Sequence, residues 1–263
     1  MSKYESFDYE DDSFRAYLDE PAAVVNIKKN VLENLVDFDA GARLNSFYEM
    51  ARDDRSVSAL LVVNEEGSYG KRQYNRFLKR VAGRASDDMN LNLPKEDKQV
   101  MRAREINMLQ QLATRFVEFP KLLVLGLNQR VVTPMFGVSL AADFRFGTED
   151  LSFSLAHMHY GLHPSGGLAF FLPRFVGQGK AIEMLMKGGE IKAEEALELG
   201  LVHDILPKEG FERAAVERTK ALCEQDVAVI SATKKLAYDF IPELKRHFER
   251  EYKISSAEIK NVD

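Results

Sequence analysis

Two uninterrupted aliphatic runs, "VSALLVV" (57–63) and "KLLVLGLN" (121–128), constrain this chain more than any other feature. A strand with one wet face alternates apolar and polar residues, so a run without that alternation reads as a strand buried on both faces. Segments in which apolar residues recur at intervals of three and four lie around both runs, the pattern of amphipathic helices. Buried strands alternating with helices imply a parallel sheet covered by helices, an α/β domain. The stretches "AAVVNIKK" (22–29), "FRFG" (144–147) and "LSFSL" (151–155) are further strand candidates. Helices are expected after a loop within 31–54, in two pieces across 76–119, and over "PMFGVSLAADF" (134–144), with Pro134 suited to the first helical position. A polar break holding Gly83 and Pro94 divides the 76–119 segment and is the expected mobile region. Everything from Gly177 onward reads as helix, and no internal repeat is visible.

Composition excludes several function classes. Of 263 residues, 45% are hydrophobic, enough to fill a substantial core. The net charge of -5 comes from acids and bases mixed along the chain, so no basic stripe points to nucleic acid. No apolar run has bilayer-spanning length, and the N-terminus is acidic where a secretory signal would be basic and then apolar, which points to a cytoplasmic protein without a membrane partner. Cys223 is the only cysteine and sits in a helical pattern, which implies a structural thiol rather than a disulfide or a nucleophile.

The stretch "FSLAHMHYGLHPSGG" (153–167) holds three of the five histidines. Metal binding would need a third ligand beside His157 and His159, so no metal site is expected. His159, His163 and Tyr160 suit loop packing, and Ser165, between a proline and two glycines, suits a turn. His157 has two readings, a general acid/base that titrates near neutral pH and a hydrogen-bonded core residue.

Three longer stretches carry a resemblance. "GQGKAIEMLMKGGEIKAEEALELGLVHDILP" (177–207), "SATKKLAYDF" (231–240), and the 121–167 stretch with Asn128, Asp143, Phe153, Gly161 and Pro164 are similar to the crotonase superfamily, the enoyl-CoA hydratase/isomerase family. The resemblance implies a spiral core of stacked β-sheets over residues 1–200. It also implies a helical C-terminal region over 201–263, within the assembly-forming helices after Gly177, that makes a homotrimer or a dimer of trimers. An acyl-CoA substrate is implied, with no cofactor beyond its CoA. Two backbone N–H groups would polarise the thioester carbonyl, because the enolate needs preorganised donors at its oxyanion. Counting places one at Gln73 and the other at Pro134, which has no N–H, or one step on at Met135 or Phe136. Lys71 and Arg72 would meet CoA phosphates, and Tyr69 and Tyr74 flank the first donor loop as candidate proton donors.

The usual hydratase carboxylate pair falls on Gly137 and His157, so both glutamates are absent. The resemblance therefore implies isomerase or lyase (decarboxylase) chemistry through an enolate, with His157 moving the proton. A noncatalytic acyl-CoA-binding or scaffold protein is the alternative. Glu65 and Glu66, the nearest carboxylates in sequence to the first donor loop, are read as surface residues.

Overall fold

The computed structural model describes residues 6–28, 38–81, 95–160 and 162–258, with side chains described except at 38–40, 78–81, 95–105, 159, 160 and 255–258. The break around Gly83 and Pro94 lies outside the described residues, apart from the first residues of the helix that follows it.

Both aliphatic runs are central strands of a seven-stranded sheet. Its order is β1 (Tyr9–Glu10), β2 (Phe14–Asp19), β3 (Ala22–Ile27), β4 (Ala59–Asn64), β5 (Leu122–Leu127), β7 (Phe144–Thr148) and β10 (Asp204–Leu206). From β3 to β10 every neighbour is parallel, while β1, β2 and β3 form antiparallel pairs. Successive side chains show why the runs lack alternation. Val24, Leu61, Val63 and Val124 pack beneath helix α8 (Phe211–Leu222) with Phe211, Ala215 and Val216. Their neighbours Val25, Leu60, Leu123 and Leu125 point into a larger core on the other face. That core also takes Phe47 of α1 (Phe38–Asp53) and Leu109 and Ala113 of α3 (Lys95–Glu118).

A second sheet, β6 (Arg130–Val132), β8 (Ser152–Leu155) and β9 (Gly189–Lys192), is stacked onto the large core through Val131, Phe153 and Ile191. One expectation needs correction. The region after Gly177 is not all helix, because β9 pairs antiparallel with β8 and β10 pairs parallel with β7. Both are short, and β9 buries only Ile191 among charged and small residues, so their strand character comes from pairing rather than from an apolar run. The β1–β2 segment, for which the sequence raised no expectation, carries the polar residues Glu10, Arg15 and Asp19 and is likewise strand by pairing.

Asp143, at the foot of β7, fixes the C-terminal helices to the sheet. Its carboxylate accepts from the Leu123 N–H (2.7 Å), from Lys234 Nζ (2.6 Å) and from the Tyr238 hydroxyl (2.6 Å). Lys234 belongs to α9 (Val227–Ala237), which buries none of its own residues and leaves Val229 60% and Leu236 81% exposed. Among the described residues no helix is long and apolar enough to cross a membrane.

Candidate functional site

Two short loops bring two helix starts together. The chain leaves β4 through Glu65–Gly70, where the Ser68 and Gly70 N–H groups close tight turns on Glu65 O and Gly67 O, and enters α2 (Lys71–Val81). It leaves β6 through Thr133–Pro134 and enters α4 (Met135–Ser139), all five of whose residues are buried. The Val132 N–H donates to Tyr69 O at 3.0 Å, tying the first loop to the strand that feeds α4. The opening N–H groups of a helix have no intrahelical acceptor. Those of Lys71 and Arg72 in α2, and of Met135 and Phe136 in α4, find none among the described residues.

These positions shift the donors named from sequence. Gln73 is not the exposed donor, because its N–H closes the first turn of α2 on Gly70 O at 3.1 Å. The loop is short, so the helix begins two residues before Gln73. Pro134 is not the first helical residue; it stands just before α4, so Met135 is first and keeps its N–H.

The side chains nearby are mostly packing. Tyr69 and Tyr74 are buried in the large core, and Tyr74 stacks on Phe77 with centroids 6.3 Å apart. Burial pushes the Tyr69 phenol above its ordinary pKa. No hydrogen bond joins either tyrosine to His157 among the described residues. Lys71 is partly exposed and Arg72 exposed at the entrance of α2. Glu66 is on the surface, accepting from Gln129 Nε2 and pairing with Lys208.

Gly137 is closed off rather than open to a ligand. A Cβ built there would lie 2.7 Å from Gly166 O, 2.7 Å from Leu168 N and 2.8 Å from Ser165 O. The turn 165–168 is therefore backbone-to-backbone with α4. Gly166 and Gly167 hold φ of 71° and 74°, so Ser165 opens a turn that glycine makes possible, as its sequence context implied.

His157 is not on a strand, since the chain turns into a 3-10 helix at Ala156–Tyr160 directly after β8. The imidazole is 4% exposed, with Nε2 3.0 Å from Leu185 O in α6 (Gln178–Lys187). A carbonyl only accepts, so Nε2 carries the hydrogen and Nδ1 carries the lone pair. Nδ1 is buried and has no hydrogen-bond partner. Burial holds the pKa below the ordinary histidine value, against the raising effect of the Leu185 carbonyl, and nearby His163 lowers it further. The arrangement is a neutral imidazole of fixed tautomer, basic at one buried atom. The side chains of His159 and Tyr160 lie outside the described residues, while His163 turns Nδ1 to Pro164 O at 2.8 Å. Among the described residues no group of three potential ligands is placed to hold a metal ion.

Two buried groups had no sequence signal, and one of them touches this region. Glu251, on α10 (Ile241–Glu258), accepts from the Gly166 N–H at 3.2 Å. Arg145 is buried, and its guanidinium donates to Leu201 O and Ala142 O. Neither carries a sequence signal, since a lone Glu or Arg in a polar-apolar pattern reads as surface.

The family model described as enoyl-CoA hydratase/isomerase matches residues 89–262. A probable enoyl-CoA hydratase of Bacillus subtilis (strain 168) is 34% identical over 113 residues, 43% of this chain and 43% of that protein. Enoyl-CoA delta isomerase 2 of Rattus norvegicus is 28% identical over 133 residues, 49% of this chain and 33% of that protein. The chain thus spans less than half the length of these two relatives. The crystal structure of enoyl-CoA hydratase from Bacillus halodurans superposes with a TM-score of 0.77 over 95% of this chain and 96% of that one, at 24% identity. The stacked sheets and covering helices are the crotonase fold.

Proposed function

The chain belongs to the enoyl-CoA hydratase/isomerase family, and from that membership we propose that it binds an acyl-CoA or similar thioester and catalyses double-bond migration rather than water addition. The observation that carries this reading is the pairing of two helix starts with unfilled N–H groups, joined by the Val132–Tyr69 hydrogen bond. A thioester oxygen that gains negative charge is stabilised by such preorganised donors, here Lys71 or Arg72 on one side and Met135 or Phe136 on the other. The side chains of Lys71 and Arg72 then face the CoA phosphates, and no further cofactor is needed.

Hydration by two carboxylates has no place for its first acid at Gly137, where backbone fills the space. A single base suffices for isomerisation. Nδ1 of His157 takes a proton from C2 of a 3-enoyl thioester, the C–H electron pair forms the C1–C2 double bond of a dienolate, and the carbonyl oxygen carries the charge. Nδ1 then returns the proton to C4, the C3–C4 alkene pair forming the new C–H bond while the C1–C2 pair moves to C2–C3 and the carbonyl re-forms, giving the 2-enoyl isomer. The rat relative's name as an isomerase agrees with this direction.

One observation favours the second reading, a noncatalytic thioester binder: neither His157 nitrogen reaches solvent. A single experiment separates the two. The protein is titrated with CoA and acyl-CoAs by calorimetry and then assayed for conversion of a 3-enoyl-CoA to the conjugated 2-enoyl-CoA by ultraviolet absorbance. Binding with turnover supports the isomerase, binding without turnover the noncatalytic reading, and no binding below millimolar concentration removes both.

Self-association through the C-terminal helices, as a homotrimer or a dimer of trimers, belongs to the same proposal. Its support is α9, an apolar helix that fully buries none of its residues within one chain and leaves Val229 and Leu236 exposed. A monomer in light scattering at micromolar concentration would refute it.

A further inference from the structure

A carboxylate that contributes nothing to the thioester reading so far lies buried behind α4. Glu251 is 5% exposed on α10, where Phe248, one turn earlier, packs against the Gly167 backbone. Burying a carboxylate is costly unless its oxygens are hydrogen-bonded, and an apolar residue of similar volume would fill the space without that cost. Oε1 accepts from the Gly166 N–H at 3.2 Å, and Oε2 lies 3.6 Å from Nε2 of the half-buried His247.

The Ser165–Gly166 peptide held by Glu251 is interlocked with α4, since a Cβ on Gly137 would come 2.8 Å from its oxygen, Ser165 O. A Cβ on Gly166 would come 2.5 Å from Pro134 O, and one on Gly137 would come 2.7 Å from Gly166 O. Pro134 O is also the acceptor of the first α4 hydrogen bond, from the Val138 N–H at 3.2 Å. A contact made by the C-terminal helix is thus passed, through one glycine peptide, to the residues that open α4.

We propose that Glu251 is a positioning residue: by holding the Gly166 peptide it sets the start of α4 and so aims the Met135 and Phe136 N–H groups at the thioester oxygen. This rests on the thioester reading for its functional half only. Glu251→Leu keeps the volume and removes the acceptor, whereas Glu251→Gln keeps an acceptor and removes the charge. Folding is checked by circular dichroism and thermal melting. Native-state hydrogen exchange of the Gly166 and Val138 amides is then read without any ligand, and acyl-CoA affinity is read by calorimetry.

In Glu251→Leu both amides are expected to exchange at least about tenfold faster while the central strands keep their protection. Acyl-CoA affinity is expected to fall about tenfold, with Glu251→Gln restoring both to within about threefold of the parent. Unchanged exchange at Val138 in Glu251→Leu overturns the positioning role. Faster exchange with unchanged acyl-CoA affinity overturns its link to binding. If the parent binds no acyl-CoA, the thioester reading fails while the exchange result still decides whether Glu251 positions α4. Should Glu251→Leu not fold, Glu251→Gln decides: amide protection and affinity like the parent support the role, and loss of both overturns it.

Discussion

Gly137→Ala tests the closure of α4 against the 165–168 turn, on which the proposed preference for isomerisation over hydration rests. In an open helix the change gains roughly 0.5–1 kcal/mol, because alanine loses less backbone freedom on folding. Here the new methyl meets three backbone atoms at 2.7–2.8 Å. No side chain can rotate away, so α4 or the turn must shift by roughly half an ångström, in a region where all of α4 is buried. Overpacking of this kind costs typically about 1–3 kcal/mol and occasionally more, so the net expectation is a loss of about 2 kcal/mol. For a chain of this size that is a drop in Tm of roughly 4–8 °C. Gly179 is the internal control, since a Cβ there, within α6, meets nothing within 4 Å. Gly179→Ala should stabilise by a few tenths of a kcal/mol up to about 1. Urea denaturation followed by circular dichroism measures both. A Gly137→Ala protein as stable as the parent, or as improved as Gly179→Ala, would show that α4 and the turn do not touch and would reopen the site to a side chain at 137.

Further outcomes follow from the same geometry. Crotonyl-CoA hydration should be slower than by a carboxylate-pair enzyme by about a hundredfold or more, and Gly137→Glu should lower stability without raising that rate; normal hydratase turnover in a coupled assay would refute this. His157→Gln should cut isomerisation about a hundredfold with little change in acyl-CoA affinity, measured by steady-state kinetics and calorimetry. Because burial lowers the folded pKa of His157, the unfolded chain takes up the proton first as pH falls. Stability attributable to His157 is therefore complete above its unfolded pKa and declines below it. Urea midpoints at pH 7.5 and 5 should differ less in His157→Gln than in the parent, and equal differences would remove the buried neutral imidazole. Asp143→Asn strands the largely covered Lys234 ammonium, whose side chain is 11% exposed, and should cost about 3 kcal/mol in urea denaturation.

The sequence by itself determined the central strands of the sheet and the family. An aliphatic run without alternation requires apolar neighbours on both sides, and Leu60 with Leu61, or Leu123 with Val124, meets that requirement from the chain alone, before any long-range contact is known. The same holds for the turn at Ser165–Gly167, because glycine alone enters left-handed backbone freely. Tertiary structure decided what local pattern does not encode. Strands β9 and β10 exist because β8 and β7 offer them hydrogen bonds, and the donor at Gln73 was lost because a short loop started α2 two residues earlier. His157 was legible as a candidate, but its tautomer and burial depend on a carbonyl 28 residues away. Glu251, 85 residues from the glycine it holds, looked like any charged helix residue. Local propensity acts over a few residues, whereas which buried polar atom finds a partner is settled only when distant segments pack.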